Sequence, residues 1–187
     1  GEPDFNKRKL RTGENEILIN QDFEDLQLSS WYVGEADDSA TAGIWERTVP
    51  NATYDEFNNI VQTDQDHSEN GVYCYLTGNG SNPNSPGQSD VDGGKTTLIS
   101  PIYDLSDFSG AIISYWKWFT NNQGNNPGND LWKVLVSNNA GSDWVLIENT
   151  NESNNFWKLE QFYLNDFIIL SNQVQFKFVA EDIYYDG

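Results

Sequence analysis

Gln173-Val174-Gln175-Phe176-Lys177-Phe178-Val179 alternates polar and apolar side chains without a break. A period of two marks a strand with one face in a core and the other in water. The pattern predicts Val174, Phe176 and Phe178 pointing inward, with Gln175 and Lys177 toward solvent. Upstream, 112–119 is apolar on both faces and predicts a central strand. Further short apolar or alternating runs lie at 16–20, 30–33, 44–48, 72–77, 96–100, 132–137, 144–148 and 157–164, separated by clusters of Asn, Asp, Gly, Ser and Pro. Asn138 to Ser142 reads as a tight hairpin turn. Ten strands and no amphipathic helix predict an all-β fold, an antiparallel two-sheet β-sandwich. Residues 1–16, polar with a basic cluster at Lys7, Arg8, Lys9 and Arg11, read as a linker or leading arm, and 17–187 as a single β-sandwich domain.

The composition limits the partners. Ten basic side chains stand against 29 acidic ones, a formal charge of -19, which repels phosphate backbones and anionic lipid headgroups. Nucleic acid is therefore excluded as a natural partner. No apolar run approaches the roughly 20 residues that span a bilayer, so membrane insertion is not expected. No signal-peptide pattern opens the chain, and its start reads as already trimmed. Aromatic residues make up 14%, with seven Trp, which requires a substantial core. The one cysteine, Cys74, precludes an intrachain disulfide, and its place in the alternating Val72-Tyr73-Cys74-Tyr75-Leu76 run predicts a buried, inert thiol.

The chemistry most clearly written in the chain is carboxylate spacing. Asp22, Glu24 and Asp25 lie in one turn, Asp64 and Asp66 in a second, and Asp90 and Asp92 in a third that continues Gly93-Gly94. Calcium takes six to eight oxygens, and an Asp-x-Asp pair on a bent loop supplies two from one side while glycine turns carbonyls inward. The acids of these three turns, Asp22, Glu24 and Asp25, Asp64 and Asp66, and Asp90 and Asp92, are the candidate ligands. The spacing lacks the closing Glu of a helix-loop-helix calcium loop. A single histidine, His67, gives no ligand set for catalytic zinc and reads as a hydrogen-bonding strut beside Asp66. The long connections 77–95 and 120–130, dense in Asn, Gly and Pro, are of the length that is often functional or metal-tied.

Aromatic residues raise a second possibility. Trp116 and Trp118 share one strand face and Tyr115, Lys117 and Phe119 the other. Most of these rings are expected in the core, but exposed rings stack on sugars. Trp45 and Trp132, with Asn121, Asn122 and Asn126 as hydrogen-bonding groups, are the candidate glycan-binding residues. Three sequons, at Asn51, Asn79 and Asn151, are glycan acceptors on a eukaryotic secretory route.

Several strings taken in order carry a family resemblance: DFED at 22–25, Trp31, GIWERTVP at 43–50, QTDQDHSENGVYCYLTGN at 62–79, and DVDGGKTTLISPIYDLS at 90–106. They continue with SYWKWFTNN at 114–122, DLWKVLVSNNAGSDWVLIENT at 130–150 and FVAED at 178–182. From about Ile17 onward the chain resembles the MAM-like jelly-roll modules found in the C-terminal parts of bacterial secreted metallopeptidases, of the zinc carboxypeptidase and immune inhibitor A types. The resemblance implies a jelly roll in the MAM and concanavalin-like group, an extracellular or cell-surface location, and a structural calcium near Phe23 and Glu24 with Asp66 and Asp92 as partners. It also implies a final strand after a Val-Glu-Ala-type segment, which this sequence lacks.

The function expected from these readings is a non-catalytic accessory or binding module of a larger secreted bacterial protein, with structural calcium and a glycan or protein ligand. The alternative is a carbohydrate-binding module. A glycosidase or lyase, needing two carboxyls about 5 to 9.5 Å apart in a cleft, is the third reading.

Overall fold

The computed structural model of the chain describes residues 17–25, 30–124 and 126–182. The expected leading arm therefore lies outside the described residues. Eleven strands follow in order: β1 (Tyr32–Val33), β2 (Trp45–Thr48), β3 (Thr53–Tyr54), β4 (Ile60–Gln62), β5 (Cys74–Thr77), β6 (Lys95–Ile99), β7 (Ile112–Phe119), β8 (Leu131–Ser137), β9 (Val145–Thr150), β10 (Asn154–Tyr163) and β11 (Gln175–Glu181). The only helical turns among the described residues are 3-10 turns at Pro86–Ser89 and Leu164–Asp166. The fold is all-β, every strand pairing is antiparallel, and no described helix is long and apolar enough to cross a membrane.

The largest sheet has five strands in the order β1-β6-β11-β8-β9. Its register explains its packing. Phe176 lies opposite Val136, Phe178 opposite Val134, and the small Ala180 opposite the large Trp132, so both strands turn the same alternate positions into one cluster. Val134 and Val136 have no solvent exposure, and each such burial contributes about 1.5–3 kcal/mol. Val174, Phe176 and Phe178 lie in or against the core as the alternation requires. Gln175 does not face water: it is buried, and its amide donates to the Ser100 carbonyl at 2.9 Å. Lys177 is mostly covered as well, held by Glu35 at 2.9 Å with its ammonium 4.6 Å from the Trp144 ring centre.

The remaining strands form three two-stranded ladders, β7–β10, β2–β5 and β3–β4. Side chains of β7 and β10, among them Ile113, Tyr115, Phe119 and Phe162, pack on the same core as the five-stranded sheet, together with Trp45 of β2. β7 differs from expectation. Among the described residues it pairs with β10 alone, and its outward Ile112 and Trp116 are about half exposed, at 52% and 45%. Its double-sided apolarity has another cause, because the outer face supports a loop. Trp118 Nε1 donates to the Val61 carbonyl at 2.7 Å, Trp157 Nε1 to that of Gln65 at 3.2 Å, and the His67 ring stacks on Trp116. His67 is thus a stacking partner more than a strut.

Of the run 16–20, expected as a strand, residues 17–20 are described and have no strand partner among the described residues. β3 and β4 are additional. They close around Asp55, whose Oδ1 accepts from the backbone N–H of Phe57 and Asn59. The turn at 138–142 joins β8 to β9 as expected, with Ala140 and Gly141 at positive φ and Ser137 Oγ accepting from the Gly141 N–H.

Candidate functional site

The two long connections deliver carboxylates to one place. The first ends in Asp90 and Asp92 just before β6, and the second ends in Asp130 just before β8. Asp182, directly after β11, is 5% exposed, and its Oδ2 accepts from the Gly93 N–H at 3.1 Å. β6, β11 and β8 are neighbours in the sheet, so these four acids gather at the same end of three adjacent strands. Burial and the charges of Asp90, Asp182 and Asp92 push the Asp130 carboxyl up to about 6. Burial, and then Asp92 and Asp182, likewise raise Asp90. Among the described residues no lysine or arginine pairs with Asp90, Asp92 or Asp130. No three of these carboxylates bring oxygens within 4.8 Å of one another, but like charges that raise one another's protonation are the electrostatic condition that a hard metal ion relieves.

Glycine builds the approach to this group. A Cβ at Gly94 would lie 1.9 Å from Ser39 Oγ, and one at Gly43 would lie 2.1 Å from the Asp90 carbonyl. Both positions have positive φ. Only glycine therefore lets segments 39–43 and 90–94 lie together. The Thr41 N–H donates to the Asp92 carbonyl across this contact at 2.7 Å.

The structure divides the ligand set expected from sequence. Glu24 and Asp66 come together elsewhere, at the start of β5. A Cβ at Gly71 would meet Asp66 Oδ2 at 2.3 Å and Glu24 Oε1 at 3.1 Å. Glu24 Oε1 accepts from the N–H groups of Val72 and Tyr73, and Asp66 from those of His67 and Ser68. Asp22 accepts from the Glu24 N–H and shapes the turn. Arg47 ties that turn down through the carbonyls of Phe23 and Glu24 while its guanidinium covers the Tyr73 ring. These carboxylates act as clamps on backbone.

A third acidic group, Glu35, Asp37 and Asp38, is the one trio among the described residues whose oxygens all lie within 4.8 Å of one another. Its charge is already compensated. Lys177 holds Glu35 and Lys95 holds Asp37, while Asp38 accepts from Thr97 N–H and Oγ1. The hydrogen bond from Lys95 keeps the Asp37 carboxyl below its ordinary range.

Beside Asp90 and Asp130 lies a cavity of about 350 Å³ that runs between β5 and β7. Trp45 and Trp132 lie at its base, but both are only 8% exposed and meet edge to face at 5.9 Å. Trp45 Nε1 donates to the Thr96 carbonyl and Trp132 Nε1 to Glu148. Both are core rings, open only where they line the base of the cavity. Asn121 is 4% exposed and spends its amide on the carbonyls of Asp130 and Asn151, closing the 120–130 connection. Asn122 and Asn126 are exposed. The amides of the three sequon residues are all engaged, Asn51 with the Gly80 carbonyl, Asn79 with Val49 and Asn151 with Gly128.

Sequence reasoning missed a buried polar group next to the cavity. Glu148 accepts from the Tyr115 hydroxyl, the Lys117 ammonium and, at 2.8 Å, Trp132 Nε1. Glu160 lies 3.4 Å from the same ammonium. Burial and the Glu148 carboxylate push the Tyr115 hydroxyl strongly upward. The one signal available was Lys117 in the middle of an otherwise apolar strand.

No family model, curated protein or solved structure matches the chain.

Proposed function

We propose that the chain is a non-catalytic accessory module of a larger secreted or cell-surface bacterial protein, a jelly-roll-like β-sandwich stabilised by calcium. The observation that carries the metal is the convergence of Asp90, Asp92, Asp130 and Asp182 from three separate segments, with no lysine or arginine among the described residues paired to the first three. Asp90 and Asp92 belong to the ligand set expected from sequence; Asp130 and Asp182 extend it. The layered core supports the sandwich reading, since the five-stranded sheet and the β7–β10 ladder meet in one cluster. The resemblance to MAM-like modules of secreted metallopeptidases supports the location and the accessory role.

Against catalysis stands the saturation of the groups suited to it. Tyr115, Lys117 and Glu148 bond to one another inside the core, so none is free to exchange a proton with a substrate. The metal's role is on stability: binding only the folded state, calcium at 100 times its dissociation constant adds about 2.7 kcal/mol.

Thermal unfolding in EGTA and in millimolar calcium tests the proposal, on the wild type and on Asp130→Ala. The expected result is a calcium-dependent rise of several degrees that the variant loses. Equal melting temperatures in the two buffers would overturn the metal.

A further inference from the structure

The cavity lies between two strand edges that no described strand pairs. Among the described residues β5 pairs only with β2 and β7 only with β10, and the cavity is lined by consecutive residues along both edges, Cys74–Thr77 on one side and Trp116 to Asn121 on the other. The backbone groups facing it follow from the ladders. Gly78 N–H donates to the Ile44 carbonyl and Trp45 N–H turns away to Thr96 Oγ1. In an antiparallel pair, alternate residues carry the bonds to the partner. Cys74 and Leu76 therefore face β2, which leaves the N–H and C=O of Tyr75 and Thr77 toward the cavity. On β7, Ala111 accepts from Leu164 N–H, and the register with β10 leaves Trp116 and Trp118 facing the same space.

We infer that this cavity is an acceptor slot for an extended polypeptide strand from another protein, bound by backbone pairing to one or both edges. A strand in this position would set alternate side chains on Trp45, Trp132 and Ala180, core residues that line the base, so those side chains are apolar. The rim fixes charge. Asp90 and Asp130 stand at one end, Glu181 beside them is held by Lys133, and the one cation lining the cavity among the described residues, Lys117, is already held by Glu148 and Glu160. The bound strand therefore carries a basic residue at the acidic end. Strand addition of this kind takes affinity from the main chain and selectivity from alternate side chains. The inference rests on the reading of the chain as a binding module; its main-chain pairing is independent of the metal, whereas the preference for a basic residue is expected in EGTA and weakens when calcium occupies Asp90 and Asp130.

The test is a titration with acetyl-Lys-Val-Thr-Val-Thr-Val-Thr-amide, followed by intrinsic tryptophan emission, since five of the seven Trp line the cavity. Three comparators are run beside it: the same peptide N-methylated at alternate residues, a glutamate-ended version, and cello- and xylo-oligosaccharides. The expected result is a saturable blue shift with the lysine peptide and binding at least about ten-fold weaker for the N-methylated and glutamate-ended peptides. Equal binding of the N-methylated peptide would overturn the inference by removing the ladder. So would tryptophan responses to the sugars alone, or a dimer in sedimentation with no peptide binding. Running the series in EGTA and in calcium separates the two proposals, because equal melting in the two buffers overturns the metal and leaves the peptide response in EGTA in place.

Discussion

The ammonium of Lys117 is bound to the Glu148 carboxylate inside the core, with 3% and 10% of the two side chains exposed. A pair this well covered contributes little net stability against an apolar substitute, but removing one partner leaves a buried charge uncompensated. Glu148→Ala is expected to cost about 3–5 kcal/mol in urea unfolding, since it also strips the acceptor from the Tyr115 hydroxyl and Trp132 Nε1. Lys117→Met combined with Glu148→Leu should recover a large part of that loss. A cost under about 1 kcal/mol for Glu148→Ala would mean the pair is solvated.

Asp130 gives a pH dependence of known sign. Its folded carboxyl titrates near 6, above the ordinary value of 3.8, through burial and the charges of Asp90, Asp182 and Asp92. The folded state therefore holds its proton more tightly than the unfolded state. With calcium chelated, stability from this group is full below about pH 4 and is lost as the pH rises toward 6. Asp130→Asn should flatten that decline and raise the pH 7 melting temperature in EGTA by about 2–4 °C, the shift for roughly 1 kcal/mol in a domain of this size. In calcium the same variant should melt lower than the wild type. A variant that behaves alike in both buffers would detach Asp130 from the metal.

Burial, with Asp66 and Glu24 adding to it, pushes the Cys74 thiol from 9.0 up to about 12. Above pH 9 the unfolded chain releases this proton while the folded chain keeps it, so stability from the thiol falls between pH 9 and about 12. Iodoacetamide at pH 8 should label Cys74 in urea and leave the native protein unlabelled over the same time. Cys74→Ala should lose about 1 kcal/mol at pH 7 and show a shallower alkaline decline. Rapid native labelling would contradict the burial.

The stack of His67 on Trp116, centroids 3.6 Å apart and planes 16° from parallel, fastens the 61–67 loop over the outside of β7 and β10. Trp116→Ala should cost about 0.5–1.5 kcal/mol for the lost ring pair. Amide exchange should also speed up at Ser68, whose N–H is held by Asp66. Unchanged exchange there would show that the bonds from Trp118 and Trp157 hold the loop unaided.

β11 was legible because polar and apolar side chains alternate from 173 to 179, long enough for period two to stand out, and β8 as an apolar run whose Trp132, Val134 and Val136 turn inward. β3 and β4, at two and three residues, carry no period at all. Their pairing is set by the Asp55 turn, in a stretch whose Asn and Asp content reads as loop. Gln175 was misread because periodicity reports faces and not coverage; the Ser100 carbonyl meets its amide on a face expected to be wet. In the acidic group, Asp90 and Asp92 were legible from their spacing. Asp130 and Asp182 come from distant segments, and only the adjacency of β6, β11 and β8 brings them there. Trp45 and Trp132 were offered as exposed platforms since ring content alone does not say which side of a sheet is solvated.

The position of β11 has a bearing on how the chain acquires its fold. It is the last described strand and the central one, joining β6 on one side to β8 on the other. Until residues 175–181 leave the ribosome, β6 has only β1 beside it and β8 only β9, so the sheet exists as two separate pieces. Pairings that close loops of some 40 to 80 residues form late and slowly. Folding of this domain should therefore be concerted and wait on the emergence of residues 175–181, with β6 and β8 holding open edges in the interval and depending on dilution or a chaperone to avoid pairing with another chain.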